Sequence, residues 1–347
     1  ALRRVTLDRL RLGETDLETV TVQNGKQGRW SVRVGGGTLD ARPWLDDGAA
    51  LTDAATEGEP PPPITVAVAP LARVSLGDGR HLQRVALNAR RDDAGTWQAL
   101  RVSAQVPDSL ARGERAGGRV SLRYRPGADG RQGLRAEAAN LGATLRALDV
   151  TEDLRGGTLR VEGTARSAAA SSAIDGEVNV DDLMVKDVPA LARLLTLASL
   201  QGPADMLSGS GITFREISGG FTYADGRVAT QLIHAYGPSL GLTTKGTLEV
   251  PGWRADLEGT VVPAARVNRL LEKIPLLGKL ITGGEGQGVI AMRYTLTGPL
   301  GDPEIRVNPL SALTPGFLRG VFGLFDRDPA PDADWPKAVP DSQASGK

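Results

Sequence analysis

The side chains that could do chemistry in this 347-residue sequence are few and scattered. His81 and His234 each stand in an alternating segment, without a second His, Asp or Glu at the spacing a zinc or iron site demands, so both read as structural or surface residues. The acidic pairs Asp46-Asp47, Asp92-Asp93 and Asp181-Asp182 lie among turn formers, where a carboxylate caps backbone N–H groups, and they suggest no acid/base pair. The run Gly283-Gly284-Glu285-Gly286-Gln287-Gly288 has the composition of a phosphate loop. It follows a helical stretch and precedes a strand, however, the reverse of the order that aims amides at a phosphate, and it reads as a hinge. Ser208-Gly209-Ser210-Gly211 lacks the flanks of a nucleophile elbow and leads into a strand at Ile212 and Phe214, so it reads as a turn. No catalytic residue, metal site or cofactor is expected.

The elements around these residues are mostly strands. Trp30, Val32 and Val34 alternate with Ser31 and Arg33, and the same period of two runs through Ile64, Val66, Val68, through Val120, Leu122, Tyr124, through Leu159, Val161 and through Met292, Tyr294, Leu296. Such segments predict half-buried antiparallel strands. Gly35-Gly36-Gly37, Asp92-Asp93-Ala94-Gly95, Pro126-Gly127-Ala128-Asp129-Gly130 and Ala224-Asp225-Gly226 supply turns between them, which predicts hairpins in series. Residues 46–63, acidic and small with four consecutive prolines at Pro60–Pro63, read as an exposed loop, and the Asp-, Pro- and Ala-rich tail 327–347 as disordered.

Three apolar stretches break the alternation, at Val188–Leu200, Ala264–Thr282 and Leu310–Phe325. In the second, Val267, Leu270, Leu271, Ile274, Leu277 and Ile281 recur at spacings of three and four, predicting an amphipathic helix that Pro275 kinks. The third carries Leu313, Phe317, Leu318, Val321, Phe322 and Phe325 with Arg319 as its internal charge, more apolar than a solvated helix should be. Packing on the sheet and contact with a membrane or partner are both open readings of it. Pro189, Pro263, Pro275, Pro315 and Gly316 are the expected hinges.

Composition narrows the classes. Forty-one Lys and Arg balance 41 Asp and Glu, and the arginines are spread singly along strand-like segments such as Leu82–Arg91, which argues against nucleic acid. The absence of Cys removes disulfides and thiolate metal sites and fits the cytosol or a Gram-negative periplasm. The longest apolar runs, such as Leu191–Leu200 with Arg193 inside it, are far shorter than the roughly 20 residues that span a bilayer. The sequence opens at Ala1 and runs directly into Val5 and Leu7, so we expect a fragment of a longer protein.

Several runs in the second half carry a family resemblance. Leu141-Gly142-Ala143-Thr144-Leu145-Arg146-Ala147-Leu148, Leu154-Arg155-Gly156-Gly157-Thr158-Leu159 and Val188-Pro189-Ala190-Leu191-Ala192-Arg193-Leu194-Leu195 come first. Gly211-Ile212-Thr213-Phe214, Tyr236-Gly237-Pro238-Ser239-Leu240-Gly241 and Gly259-Thr260-Val261-Val262-Pro263 follow, then Ile274-Pro275-Leu276-Leu277-Gly278, Val307-Asn308-Pro309-Leu310 and Pro315-Gly316-Phe317-Leu318-Arg319. In this order they resemble the C-terminal region of the bacterial AsmA-like proteins, closest to the YhdP type, over roughly residues 138 to 326. Residues 1–137 match only in style, and the membrane helix that opens the family's members is not in this sequence.

The resemblance implies a periplasmic segment of an inner-membrane-anchored envelope protein. Its long twisted antiparallel sheet would curl into an open apolar groove, capped by amphipathic helices, that carries phospholipid between inner and outer membranes. On that reading residues 1–137 form an upstream β segment and 138–326 the AsmA-like region. Leu159, Val161, Val178, Val180, Ile212, Phe214, Leu248, Val250, Met292, Tyr294 and Leu296 would line the groove, and Leu310–Phe325 would meet a membrane or an envelope partner. An envelope scaffold whose concave face is filled by its own side chains is the alternative, and an enzyme acting on glycans or lipids a remoter one.

Overall fold

The computed structural model describes residues 3–25, 28–43, 62–111, 116–127, 130–167, 172–186, 211–238, 240–250, 252–263, 292–300 and 302–308. The three expected helical stretches, most of the Pro-rich loop and the tail lie outside the described residues. Within them the fold is mainly β, as the alternation predicts, with nineteen strands in one large open sheet that does not close on itself. The chain divides into two compact units. The first holds the described residues up to Glu152 together with Leu159–Ile174, and the second holds Asp153–Thr158 and the described residues from Asp175 onward.

In the first unit the strands are β1 (Arg4–Leu7), β2 (Leu10–Leu12), β3 (Thr15–Leu17), β4 (Val20–Asn24), β5 (Trp30–Val34), β6 (Gly37–Asp40), β7 (Ile64–Gly77), β8 (Arg80–Arg91), β9 (Trp97–Val106), β10 (Gly118–Pro126) and β11 (Gln132–Ala138), joined by the Leu159–Ala165 part of β12 (Leu154–Ala165). Strands β7 to β12 pair with their sequence neighbours antiparallel. The wholly antiparallel expectation fails at one place. β7 runs parallel to β5 through Trp30↔Ile64 and parallel to β6 through Thr38↔Arg73, because the long connection after β6 returns the chain to the end where β5 began.

The first unit also holds an α-helix, α1 (Leu141–Ala147). Asn140 starts it by accepting a hydrogen bond from the Ala143 amide at 3.0 Å, and Thr144 Oγ1 donates back to the Asn140 carbonyl at 2.7 Å. With nearly every residue buried, the helix sets Ala143 and Ala147 against Val106 and Ala111, beside Leu82, Leu110 and Val120. Arg146, only 5 % exposed, donates to the carbonyls of Leu110 and Glu152, tying the helix to the 3₁₀ turn at Asp108–Leu110. A second cluster, Leu17, Leu71 and Val74, is buried where β3 and β7 approach.

In the second unit the strands are β13 (Ile174–Val185), β14 (Ile212–Ala224), β15 (Arg227–Tyr236), β16 (Leu240–Glu249), β17 (Arg254–Pro263), β18 (Met292–Pro299) and β19 (Glu304–Asn308). From β14 to β19 they form an antiparallel meander. Asp225 and Gly226 turn β14 into β15 with φ of 49° and 74°, the left-handed pair that a two-residue hairpin requires. β16 reverses into β17 after Glu249 and β18 into β19 after Pro299 at that same end. At the opposite end β13 stops at Val185, β14 starts at Ile212, β17 stops at Pro263, β18 starts at Met292 and β19 stops at Asn308, so the connections holding all three expected helical stretches attach there. Asp181-Asp182, expected at a turn, lies inside β13 instead. Asp182 takes a φ of 52°, which a short polar side chain tolerates within an irregular strand.

Candidate functional site

Period-two alternation matters here because the registers of successive strands agree. In the first unit Val68, Leu87, Val102, Leu122, Ala136 and Val161 stand directly opposite one another from β7 to β12. Val34, Val20 and Leu7 continue that row through β5, β4 and β1. A second row, two residues away, runs Val66, Ala89, Leu100, Tyr124 and Leu134, and reaches β5, β4 and β1 through Val32, Val22 and Val5. The first row crosses nine strands and the second eight, about 40 Å at the usual inter-strand spacing. Most of these side chains are half-buried rather than buried, and Val66, Ala89, Leu100 and Tyr124 help to line a cavity of about 310 Å³. Burial pushes the Tyr124 hydroxyl above its ordinary pKa.

Of the residues predicted to line a groove, Leu159 and Val161 belong to this unit, opposite Ala138 and Ala136. Leu159 lies toward the α1 end of the face, where Ala104 and Ala138 are buried.

The second unit has its own apolar face, and it is packed differently. Leu242, Val261 and Met292 form one row, Thr244, Gly259, Tyr294 and Val307 the next, and Gly246, Leu257, Leu296 and Ile305 the third. Leu248 and Val250 follow on the same parity, so Leu248, Val250, Met292, Tyr294 and Leu296 share a face, as the alternation predicts. At the end where the long connections attach this face is closed: Val261 is 0 %, Met292 1 % and Tyr294 5 % exposed. Gly259 permits part of this closure. A Cβ there would strike the Thr243 carbonyl and the Tyr294 hydroxyl, and without it Tyr294 reaches that carbonyl at 3.1 Å with its own pKa raised by burial.

Ile212 and Phe214 join Ala235 and the fully buried Leu240 in a second cluster, with Ile217 and Leu242 packed beside them. Phe214 and Ile217 are three residues apart, so strict alternation does not hold at the start of β14; its pairing with β15 begins only at Glu216. Val180 is buried and Val178 half-buried in β13. Two concavities of this unit, about 760 and 730 Å³, are lined mostly by polar-parity side chains such as Thr243, Lys245, Glu258, Thr295 and Arg306, with Lys245 and Glu258 paired at 2.9 Å.

Pro263 ends β17, and the stretch it was expected to hinge lies outside the described residues. Pro189, Pro275, Pro315, Gly316 and the proposed contact residues Leu313, Phe317, Leu318, Val321, Phe322 and Phe325 lie outside the described residues. His81 sets Nδ1 3.2 Å from the Gly79 carbonyl, a turn contact, and His234 is half-buried in β15. Asp92 caps its turn as expected, accepting from the amides of Ala94 and Thr96 at 3.0 and 2.9 Å, and these bonds hold its carboxyl below the usual range. Tyr236 donates to Glu216 at 2.8 Å, which with partial burial pushes its hydroxyl pKa up to about 12.

One sequence reading needs correcting. The arginines are singly spaced along the chain, but the register gathers them: Arg101, Arg123 and Arg135 stand directly opposite one another on β9, β10 and β11, on the face away from the apolar rows. The signal was present as a strand-parity pattern, which a search for consecutive basic residues does not detect. Among the described residues no helix is long and apolar enough to cross a membrane. No family model, curated protein or solved structure matches the chain.

Proposed function

We propose that this chain is a non-enzymatic lipid-transfer segment whose apolar sheet face carries phospholipid acyl chains. The supporting observation is the pair of apolar rows that cross nine and eight strands of the first unit with most of their side chains half-exposed. A soluble sheet ordinarily buries such a face, since each CH₂ withdrawn from water gains about 0.8 kcal/mol. A face left open along its length offers that gain to a ligand, and an acyl chain is the ligand whose length and chemistry match an apolar strip without fixed polar partners. Sliding along it needs no nucleophile, metal or cofactor.

The resemblance to AsmA-like proteins supports the finer reading: a groove capped by amphipathic helices, within a periplasmic bridge anchored in the inner membrane of a Gram-negative bacterium, moving phospholipid toward the outer membrane. A membrane or envelope protein would meet its C-terminal end. One observation favours the scaffold alternative for the second unit, where Val261, Met292 and Tyr294 fill the apolar face with the protein's own side chains.

Native mass spectrometry of the purified chain tests the proposal. Phospholipid should co-purify with the wild type and be lost from Leu122→Asp, with the strand signal in circular dichroism unchanged. A wild-type chain that carries no lipid from a lipid-rich lysate sinks the proposal.

A further inference from the structure

The first unit has a second face that the lipid-transfer reading does not use. Strands β7, β8, β9 and β10 contain no Asp or Glu. They carry many arginines, and the polar parity brings four of these together around one cross-strand pair. Arg101 and Arg123 stand directly opposite each other, with Arg90 and Arg125 on the diagonals and Arg135 beyond Arg123. Arg90, Arg101 and Arg123 are exposed. Among the described residues none of Arg90, Arg101, Arg123 and Arg125 has an ion pair or side-chain hydrogen bond, whereas Arg135 is paired with Glu162. Like charges directly across an antiparallel pair destabilise a sheet. A three-strand ladder of them, with no carboxylate supplied from β7 to β10, is a local conflict of the kind that marks a binding surface.

The surroundings select the class of partner. Between the arginines the same face presents Ala67, Ala86, Ala99, Ser103 and Ser121, so the guanidinium groups stand above a low floor. Among the described residues between these arginines it presents no aromatic side chain on which a base could stack, which disfavours single-stranded nucleic acid. It likewise lacks a large apolar anchor of the sort that dominates protein interfaces. What remains complementary is a broad array of phosphate oxyanions, which a cluster of unpaired positive charges attracts.

From this geometry we infer that the arginine face of β8 to β10 docks the first unit against the phosphate headgroups of an anionic bilayer. The inference is independent of lipid carriage by the opposite face, so either can fail alone.

Vesicle co-sedimentation of the whole chain tests it, comparing pure phosphatidylcholine with phosphatidylcholine containing about 30 mol% phosphatidylglycerol at about 0.1 M salt. The wild type should bind the anionic vesicles more tightly. The double variant Arg101→Gln, Arg123→Gln should lose roughly tenfold or more of that preference, while its co-purified lipid, read by native mass spectrometry, stays at the wild-type level. The charge-conserving pair Arg101→Lys, Arg123→Lys should keep most of the preference, which also controls for folding. Equal wild-type binding to both vesicles overturns the inference. So does a Lys pair as weak as the Gln pair, because a shaped single-ligand site would then be at work. Tighter binding of a single-stranded oligonucleotide than of the anionic vesicles would reassign the face to nucleic acid.

Discussion

The two units build the same alternating sheet and treat its apolar face in opposite ways. In the first, most side chains of the rows through Val102 and Leu100 stay half-exposed, while α1 packs over one end beside Val106 and Val120. In the second, the end carrying Val261, Met292 and Leu240 is closed, and two concavities lie against charged and hydroxyl side chains. Alternation alone therefore does not make a conduit. It makes a greasy face, and whether that face is core or path depends on what closes over it.

The sharpest break between the units should appear in stability. Met292→Ala empties a closed site and should lose about 2–4 kcal/mol in urea unfolding, whereas Leu122→Ala, cut from a half-exposed row, should lose about 1 kcal/mol. Equal losses would mean that the first unit's face is ordinary core.

Occupancy should then follow exposure. Photo-crosslinkers at Val102 and Leu122 should capture phospholipid, with yields at least about fivefold above those at Val261 and Met292, where no apolar surface is open. Crosslinkers at Ser103 and Ser121, on the other parity, should stay at background. Uniform labelling would dissolve the distinction between the two units and between the two faces.

A smaller effect isolates the first unit's closed end. Asn140→Ala removes the α1 cap and should cost about 1 kcal/mol, with faster hydrogen exchange near Val106 and Val120 and none near Met292. The least effect concerns pH. Backbone donors hold the folded Asp92 carboxyl below its unfolded value of about 3.9, so its contribution is complete above that value and is lost as pH falls through the lower, folded one. Asp92→Asn should flatten that portion of the acid unfolding curve while leaving behaviour at neutral pH almost unchanged.

Much of this was legible from the residues. Trp30-Val32-Val34 and Met292-Tyr294-Leu296 are strands because their period is two, and Asp225-Gly226 is a turn because both positions tolerate positive φ. Register was not legible, since it depends on which strand pairs with which. The parallel β5–β7 contact, the Arg101–Arg123–Arg135 ladder and the long apolar rows are all consequences of pairing. Nor could composition tell Met292 from Leu122. Both are apolar residues on an alternating strand, and only packing distinguishes a side chain 1 % exposed from one left half-open. Asp181-Asp182 misled because an acidic pair favours turns, yet a strand absorbs it through one left-handed residue.

The run of antiparallel neighbours from β7 to β12 has a consequence for how such a molecule can change in size. Removing one strand would reverse every later strand and carry its following turn to the wrong end, whereas removing a whole hairpin leaves direction and parity intact. Reach is therefore quantised in units of two strands, about 10 Å each. A lineage could lengthen or shorten such a sheet by duplicating or deleting hairpins, with each new pair inheriting the greasy side and the charged side already in register.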